Sequence, residues 1–441
     1  MLNEYKKVKI SYGHGSLDVD IPKKNLLDVI EPLIYPNKLP EWLDGLKNEE
    51  QIIFQAIKNP IGMPPLEKIV NQKNRIAVIV DDITRPTPTK KILDVLFKEL
   101  HELGVGKKNI TIVFANGGHR KLSLIEKEKL LGKTILENYK VIDHDARNKR
   151  NLVMLATTSR GTPVLINKDV YEADIRILTG MIKPHSQAGY SGGGKAILPG
   201  VSGIETIVAD HNYNAVADPH SVYGVIQGNP IRDDIEEAAK ILGNCFIINV
   251  VLNNQKEIVA AVAGDMVKAH RIGCDILDQM VKIRVPYQAD IVITGCGYPT
   301  DLNLYQAMNA PASAVRLPSP IVREKGIIIV AASCPEGVGH PEFYHLVSEA
   351  FEPRDILVKL QNSHEFIDGQ WAAQIWAQML EHVKIILVCD GIKEQDIKSL
   401  KAELAPSIQS ALNLALDESG AESKILVMPN APYTIPVLEK Q

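Results

Sequence analysis

Apolar residues along this chain fall into short runs that end in polar or glycine-rich clusters. Residues 8–22, VKISYGHGSLDVDIP, carry Gly and His between two alternating stretches, which predicts a hairpin. A polar helical stretch follows near 41–58. From about residue 75 the pattern becomes regular. RIAVIVDD (75–82) is a strand-length apolar run, followed by a proline-rich turn and the helical KKILDVLFKELHELG (90–104). NITIVFANGGHR (109–120) is a second such run and SLIEKEKLLG (123–132) a second helix. KVIDHDA (140–146) and DIRILTG (174–180) repeat the strand pattern. After about 265 it restarts. MVKAHRIGCDILDQMV (266–281) is helical, and the segments 289–297, 325–333, 383–390 and 424–430 are strand-like with helical patterns between them. Such alternation predicts two α/β domains with parallel sheets, residues 1–268 and 269–441. Ligands bind outside the carboxyl ends of strands in such sheets, so chemistry is expected just after RIAVIV, NITIVFA and DIRILTG.

Composition narrows the class. The chain has 441 residues, a formal net charge of −4, 45% hydrophobic and 23% charged residues. This is globular composition, with no electrostatic reason to bind nucleic acid or an anionic membrane. The start, MLNEYKKVKI, lacks a signal-peptide apolar core, and no apolar run approaches the length of a membrane span. The five cysteines show no CxxC spacing and are odd in number, so they are read as reduced thiols of a cytoplasmic protein.

The densest candidate segment is 180–203, GMIKPHSQAGYSGGGKAILPGVSG, in which seven of 24 residues are glycine. Glycines here let a ligand approach the backbone, and a helix expected near Glu205 turns N–H groups toward an anion. Gly189 to Lys195 matches the first seven positions of a phosphate-binding P-loop. The eighth is Ala196, without the hydroxyl that would hold Mg²⁺, and the strand ends too early, so an NTPase or kinase is only the alternative. Lys195 offers an amine for phosphate or for covalent attachment. His119, His185 and His211 fall in presumed strand-end loops as bases or metal ligands, without the spacing of a helix-borne zinc site. At the first strand end, Asp82 and Arg85 form an ion pair or else Arg85 meets an anion, with Thr84 and Thr87 beside it. In the second half, Tyr305, Gln306 and Asn309 lie on a helix-like stretch, and Trp371 and Trp376 are read as core or interface residues.

Taken together, Asp82-x-x-Arg85-Pro86, Gly118-His119-Arg120, the loop from His185 to Lys195, and His211 resemble the nickel-dependent lactate racemase family. Tyr305-Gln306 and Gln370-Trp371 extend the resemblance over both halves of the chain. It implies two Rossmann-like α/β domains with the active site in the cleft between them, and a racemase or epimerase of a 2-hydroxy acid. It also implies nickel held in a pincer cofactor, pyridinium-3,5-bisthiocarboxylic acid mononucleotide. Lys195 would attach that group covalently and His211 would ligate nickel, the remaining donors coming from the cofactor. Asp82, Thr84, Arg85, Gly192 and Gly193 would position it. His119 and His185 would be the acid/base pair for a hydride transfer through a planar 2-keto acid. Tyr305, Gln306, Asn309 and Trp371 would contact substrate. The cofactor-making enzymes would be transient partners. Where the family has a lysine that helps bind the substrate carboxylate, this chain has Asn309, which points away from lactate toward a larger or more hydroxylated acid.

Overall fold

The computed structural model describes residues 4–363 and 367–439. Its first sheet is built on strands buried along their whole length, Ile76–Val80, Ile175–Ile182 and Cys245–Leu252. Continuous apolar runs of this kind belong to sheets covered on both faces. The spatial order is Ile258–Gly264, Cys245–Leu252, Ile175–Ile182, Ile76–Val80, Ile110–Phe114 and Lys140–Asp143. All neighbours are parallel except the antiparallel outer strand Ile258–Gly264. The helix Thr89–Glu102 buries Ile92, Leu93, Leu96, Phe97 and Leu100, the stripe that its 3.6-residue period dictates.

The second sheet runs Glu403–Leu404, Val383–Val388, Val322–Ala331, Ala289–Gly297, Ile425–Met428 and Leu26–Val29, all parallel. The predicted N-terminal hairpin, Tyr5–Gly13 with Gly15–Pro22, joins this sheet where Tyr12 and Gly13 pair with Cys296 and Gly297.

Two features correct the expected division at 268/269. Residues 5–29 pair in the second sheet, not the first. The helix Lys268–Val281 packs on the first sheet, where Gly273 admits the Ile182 side chain: a Cβ there would lie 2.2 Å from Ile182 Cδ1. Periodicity identifies a helix or a strand, but the sheet that accepts it is set by contacts distant in sequence. The hairpin Leu152–Thr157 with Pro163–Asn167 and the strands Cys245–Leu252 and Ile258–Gly264 were not anticipated. Among the described residues no helix is long and apolar enough to cross a membrane, and all five cysteines are free and buried.

Candidate active site

The carboxyl ends of the first sheet's strands face the segments 304–315 and 368–375 of the second half across a cleft of about 1280 Å³, open mouth included. Of the residues expected at the site, Asp82, Arg85, His119, His185, Gly192, Gly193, Lys195, His211, Tyr305, Gln306, Asn309 and Trp371 all line it. Thr84 does not. It lines an adjoining smaller cavity and acts on the cleft through Asp82.

Asp82 follows the strand Ile76–Val80 and is buried. The expected Asp82–Arg85 ion pair is absent among the described residues. Oδ2 of Asp82 instead accepts from His119 Nδ1 at 2.6 Å. Its other oxygen accepts from the Thr84 amide at 3.0 Å and the Thr84 hydroxyl at 2.5 Å. Burial alone would raise this carboxyl; His119, through its hydrogen bond and through its charge once protonated, outweighs it together with Arg85 and Thr84 and pulls the group down to about 2. The carboxylate can only accept, so in the neutral His119 ring Nδ1 carries the proton and Nε2 keeps its lone pair. The Gln306 amide donates to that Nε2 at 3.2 Å. His119 is therefore presented to the cleft as a base.

His185 is set up in the opposite sense. The backbone N–H groups of Gln187 and Ala188 both donate to its Nδ1, each at 3.2 Å. The neutral ring must then carry its proton on Nε2, which makes it a donor. Burial, and next the positive charges of Lys195, Arg85 and Lys183, push its pKa well below the ordinary value, so the ring stays neutral.

His211 caps the C-terminus of the helix Ile204–Asp210. Its Nδ1 sits 3.2 Å from the Ile207 carbonyl and 3.0 Å from the Asp210 carboxylate. The Ile207 carbonyl accepts, so Nδ1 is protonated and Nε2 keeps its lone pair for a metal, as imidazole ligands held through their other nitrogen do. Among the described residues no three His, Cys, Asp or Glu side chains could hold a metal by themselves.

Lys195 lies on a 3-10 turn, Gly193–Ala196. Burial, then the Arg232 and Arg85 charges, push its amine down to about 7, so a large fraction is unprotonated and nucleophilic near neutrality. Gly192 and Gly193 have φ of +79° and +60°, and the Gly193 amide donates to Asn249 Oδ1 at 2.8 Å. A Cβ on Gly193 would stand 3.0 Å from the His270 ring and from the Met266 carbonyl, so the loop closes against its supports only without a side chain. Asn249 and His270, which binds the Ser191 carbonyl at 2.8 Å, went unanticipated. The clue to Asn249 was one amide within the otherwise apolar strand CFIINVVL.

On the opposite wall, Trp371 donates from Nε1 to the Tyr305 hydroxyl at 2.9 Å, and its ring lies 5.4 Å from that of His211. Trp376 is core, as expected, with its indole N–H on the Leu400 carbonyl. Tyr305 and Gln306 close one short helix, Leu304–Ala307, and Asn309 opens the next. The Asn309 amide is already engaged. Its Nδ2 donates to the Gln306 carbonyl at 2.8 Å, and its Oδ1 accepts from the Ser186 hydroxyl at 3.1 Å. Asn309 thus ties the second half to the glycine loop while still lining the cleft. Asn309→Ala should cost about 1–3 kcal/mol, the usual penalty for buried partners left unpaired, read as a lower urea midpoint. An unchanged midpoint would show that these bonds hold nothing.

Arg85 donates from Nη1 to the Thr84 carbonyl and hydroxyl at 3.4 and 3.1 Å. It makes no salt bridge among the described residues, although its charge acts on Asp81 and Asp82. Arg147 is tied instead to Asp368 across the cleft, and Arg120 to Glu336 at 2.9 Å, so both bridge the two halves. His340, stacked 5.0 Å from the Tyr305 ring, and Asp368 line the cleft and carried no motif that would have singled them out.

Comparison with known proteins agrees with this geometry. Residues 12–224 match the lactate racemase N-terminal domain model and residues 285–435 the lactate racemase C-terminal domain model. The lactate racemase of Thermoanaerobacterium thermosaccharolyticum is 33% identical over 431 residues, covering 97% of this chain and 98% of that protein. That of Lactiplantibacillus plantarum is 32% identical, covering 94% and 98%. The solved structure of the T. thermosaccharolyticum lactate racemase apoprotein superimposes with a TM-score of 0.88 at 32% identity, covering 99% of this chain and 100% of that one. A Thermotoga maritima protein shares the fold alone, with a TM-score of 0.72 at 18% identity over 89% and 98% of the two chains. With both halves matched and the whole fold shared, the chain belongs to the lactate racemase family and is an isomerase of the racemase type.

Proposed function

We propose that this protein racemises or epimerises a 2-hydroxy acid, with lactate the first substrate to try because both curated relatives are lactate racemases. The observation that carries the reading is the pair of imidazoles on one cleft in complementary tautomers, His119 as acceptor and His185 as donor. A racemase needs one group to take the hydroxyl proton and another to meet the same oxygen, and this cleft has both.

The residues fit the nickel pincer cofactor. Lys195 supplies an amine of lowered basicity for covalent attachment, and His211 supplies one unprotonated Nε2. The absence of a protein-only donor set among the described residues suits a metal whose other donors arrive with the cofactor. Gly192 and Gly193 line the cleft and let the loop pack on Asn249 and His270, which brings Lys195 to the same cleft. When bound, that group would accept the substrate's α-hydride and return it. The chain's own residues do the rest. His119 Nε2 takes the hydroxyl proton, and Asp82 stabilises the imidazolium that results. His185 donates to the substrate oxygen. Arg85, a cleft cation without a salt bridge, meets the substrate carboxylate in the role that the family lysine would have had at Asn309. Trp371, Tyr305 and the two ion pairs across the cleft limit water around a planar keto acid. The P-loop alternative is not favoured, since Gly189 forms a β-bridge pair with His185 rather than opening a phosphate loop after a strand.

The test is a chiral screen of 2-hydroxy acids with cofactor-loaded enzyme, run beside Arg85→Met. Interconversion of enantiomers in wild type is expected. In the variant, KM should rise by roughly 10²-fold for loss of a charge-assisted contact. Loaded enzyme that interconverts none of the acids would overturn the proposal, and an unchanged KM in Arg85→Met would remove Arg85 from carboxylate binding.

A further inference from the structure

A second cavity, about 980 Å³ with its mouth, lies on the other side of the chain segment that leads into His185. Its walls come from both sheets: Met181 to Pro184 and the turn at Asn253–Asn254 from one, and Ser11, Tyr298 and Tyr433 from the other. One flank is apolar, formed by Ile182, Leu252, Leu277 and Met280. No Asp or Glu lines it, but two lysines do.

Lys183 is the unusual one. It is 5% exposed, and among the described residues its ammonium makes no hydrogen bond or ion pair. Its near neighbour is the Tyr433 ring, 5.1 Å away. Burying an ammonium with only an aromatic face beside it is costly, since buried charges are ordinarily paired. At the rim, Lys256 donates to the Tyr298 carbonyl at 3.0 Å, and His14 stacks on the Tyr298 ring at 4.2 Å. Burial, with Arg85 adding to it, pushes the Lys183 amine down to about 7, a penalty that an anion beside it would relieve.

We infer that this cavity is a second ligand site, separate from the racemisation cleft, which takes a small organic anion with a short apolar body, the anionic end on Lys183 and the body against Leu277 and Met280. Neither a carboxylate nor a phosphate head is excluded by the chemistry of a lone ammonium, so both are tried.

Butyrate and butyl phosphate are titrated calorimetrically into the loaded enzyme, into Lys183→Met and into Arg85→Met. Binding of one or both probes to wild type is expected, weakened by roughly tenfold or more in Lys183→Met and retained or tightened in Arg85→Met, where Lys183 loses a neighbouring positive charge. The probe that binds identifies the head group. Asn254→Trp, at an exposed position on the rim, should block the same binding without touching the core, which guards against misfolding of the lysine variant. Absence of binding by either probe overturns the inference. So does binding that survives Lys183→Met and Asn254→Trp, or binding that is lost in Arg85→Met, because the ion would then occupy the racemisation cleft.

Discussion

Asp82→Asn is expected to lower racemisation by roughly 10²–10⁴-fold at matched cofactor loading, the range for loss of a positioned acid–base group. The reason is a choice of tautomer. The Asp82 oxygen held by the Thr84 amide and hydroxyl must be an acceptor, so asparagine will put its carbonyl there. Its NH₂ then points at His119 Nδ1, 2.6 Å from the oxygen it replaces. Nδ1 becomes the acceptor, the proton moves to Nε2, and the base is lost although the ring has not moved. Turnover should be measured by chiral chromatography, and the imidazole tautomer by nitrogen NMR. His119→Ala should lose a comparable factor. If Asp82→Asn retained full turnover with its proton on Nε2, His119 would not be the base.

Lys195→Ala should carry no covalent adduct and show only background racemisation, a loss of at least ~10³-fold if the bound group carries the difficult step. Lys195→Arg should fail equally, because a guanidinium stays protonated and is a poor nucleophile. Intact-protein mass and metal content after co-expression with the cofactor-making enzymes give the answer. An adduct on either variant would move the attachment site elsewhere. In the unloaded protein, acylation of Lys195 should be half-maximal near pH 7, since burial and the Arg232 and Arg85 charges favour the neutral amine. A midpoint near that of a free lysine would show that the cleft does not desolvate it.

Much of this protein was legible without coordinates, because the relevant signals are local. A fully buried parallel strand is a continuous apolar run, and Ile76–Val80, Ile175–Ile182 and Ile425–Met428 announce themselves in that way. Residues after such runs face a common edge, so Asp82, His119 and His185 were candidates from position alone. The glycine loop and its lysine were visible as composition, and Gly192 and Gly193 do adopt the positive φ that such a loop needs.

The remainder was decided by contacts that composition does not record. The sheet joined by residues 5–29 depends on pairings across most of the chain length, and the one covered by Lys268–Val281 on packing such as Gly273 against Ile182. The Asp82–Arg85 spacing suggested an ion pair, yet His119, 37 positions away, took that carboxylate. Asn309 read as an unengaged amide facing substrate until Ser186 and the Gln306 carbonyl were found to hold it. The amino-acid sequence by itself determined which chemical groups stand at the strand ends, since hydrophobic periodicity places strands and turns within a few residues. The tertiary structure alone decided the proton on each histidine, the freedom of Arg85 and the solitude of Lys183, because a side chain's protonation and partners are set by neighbours that folding brings together.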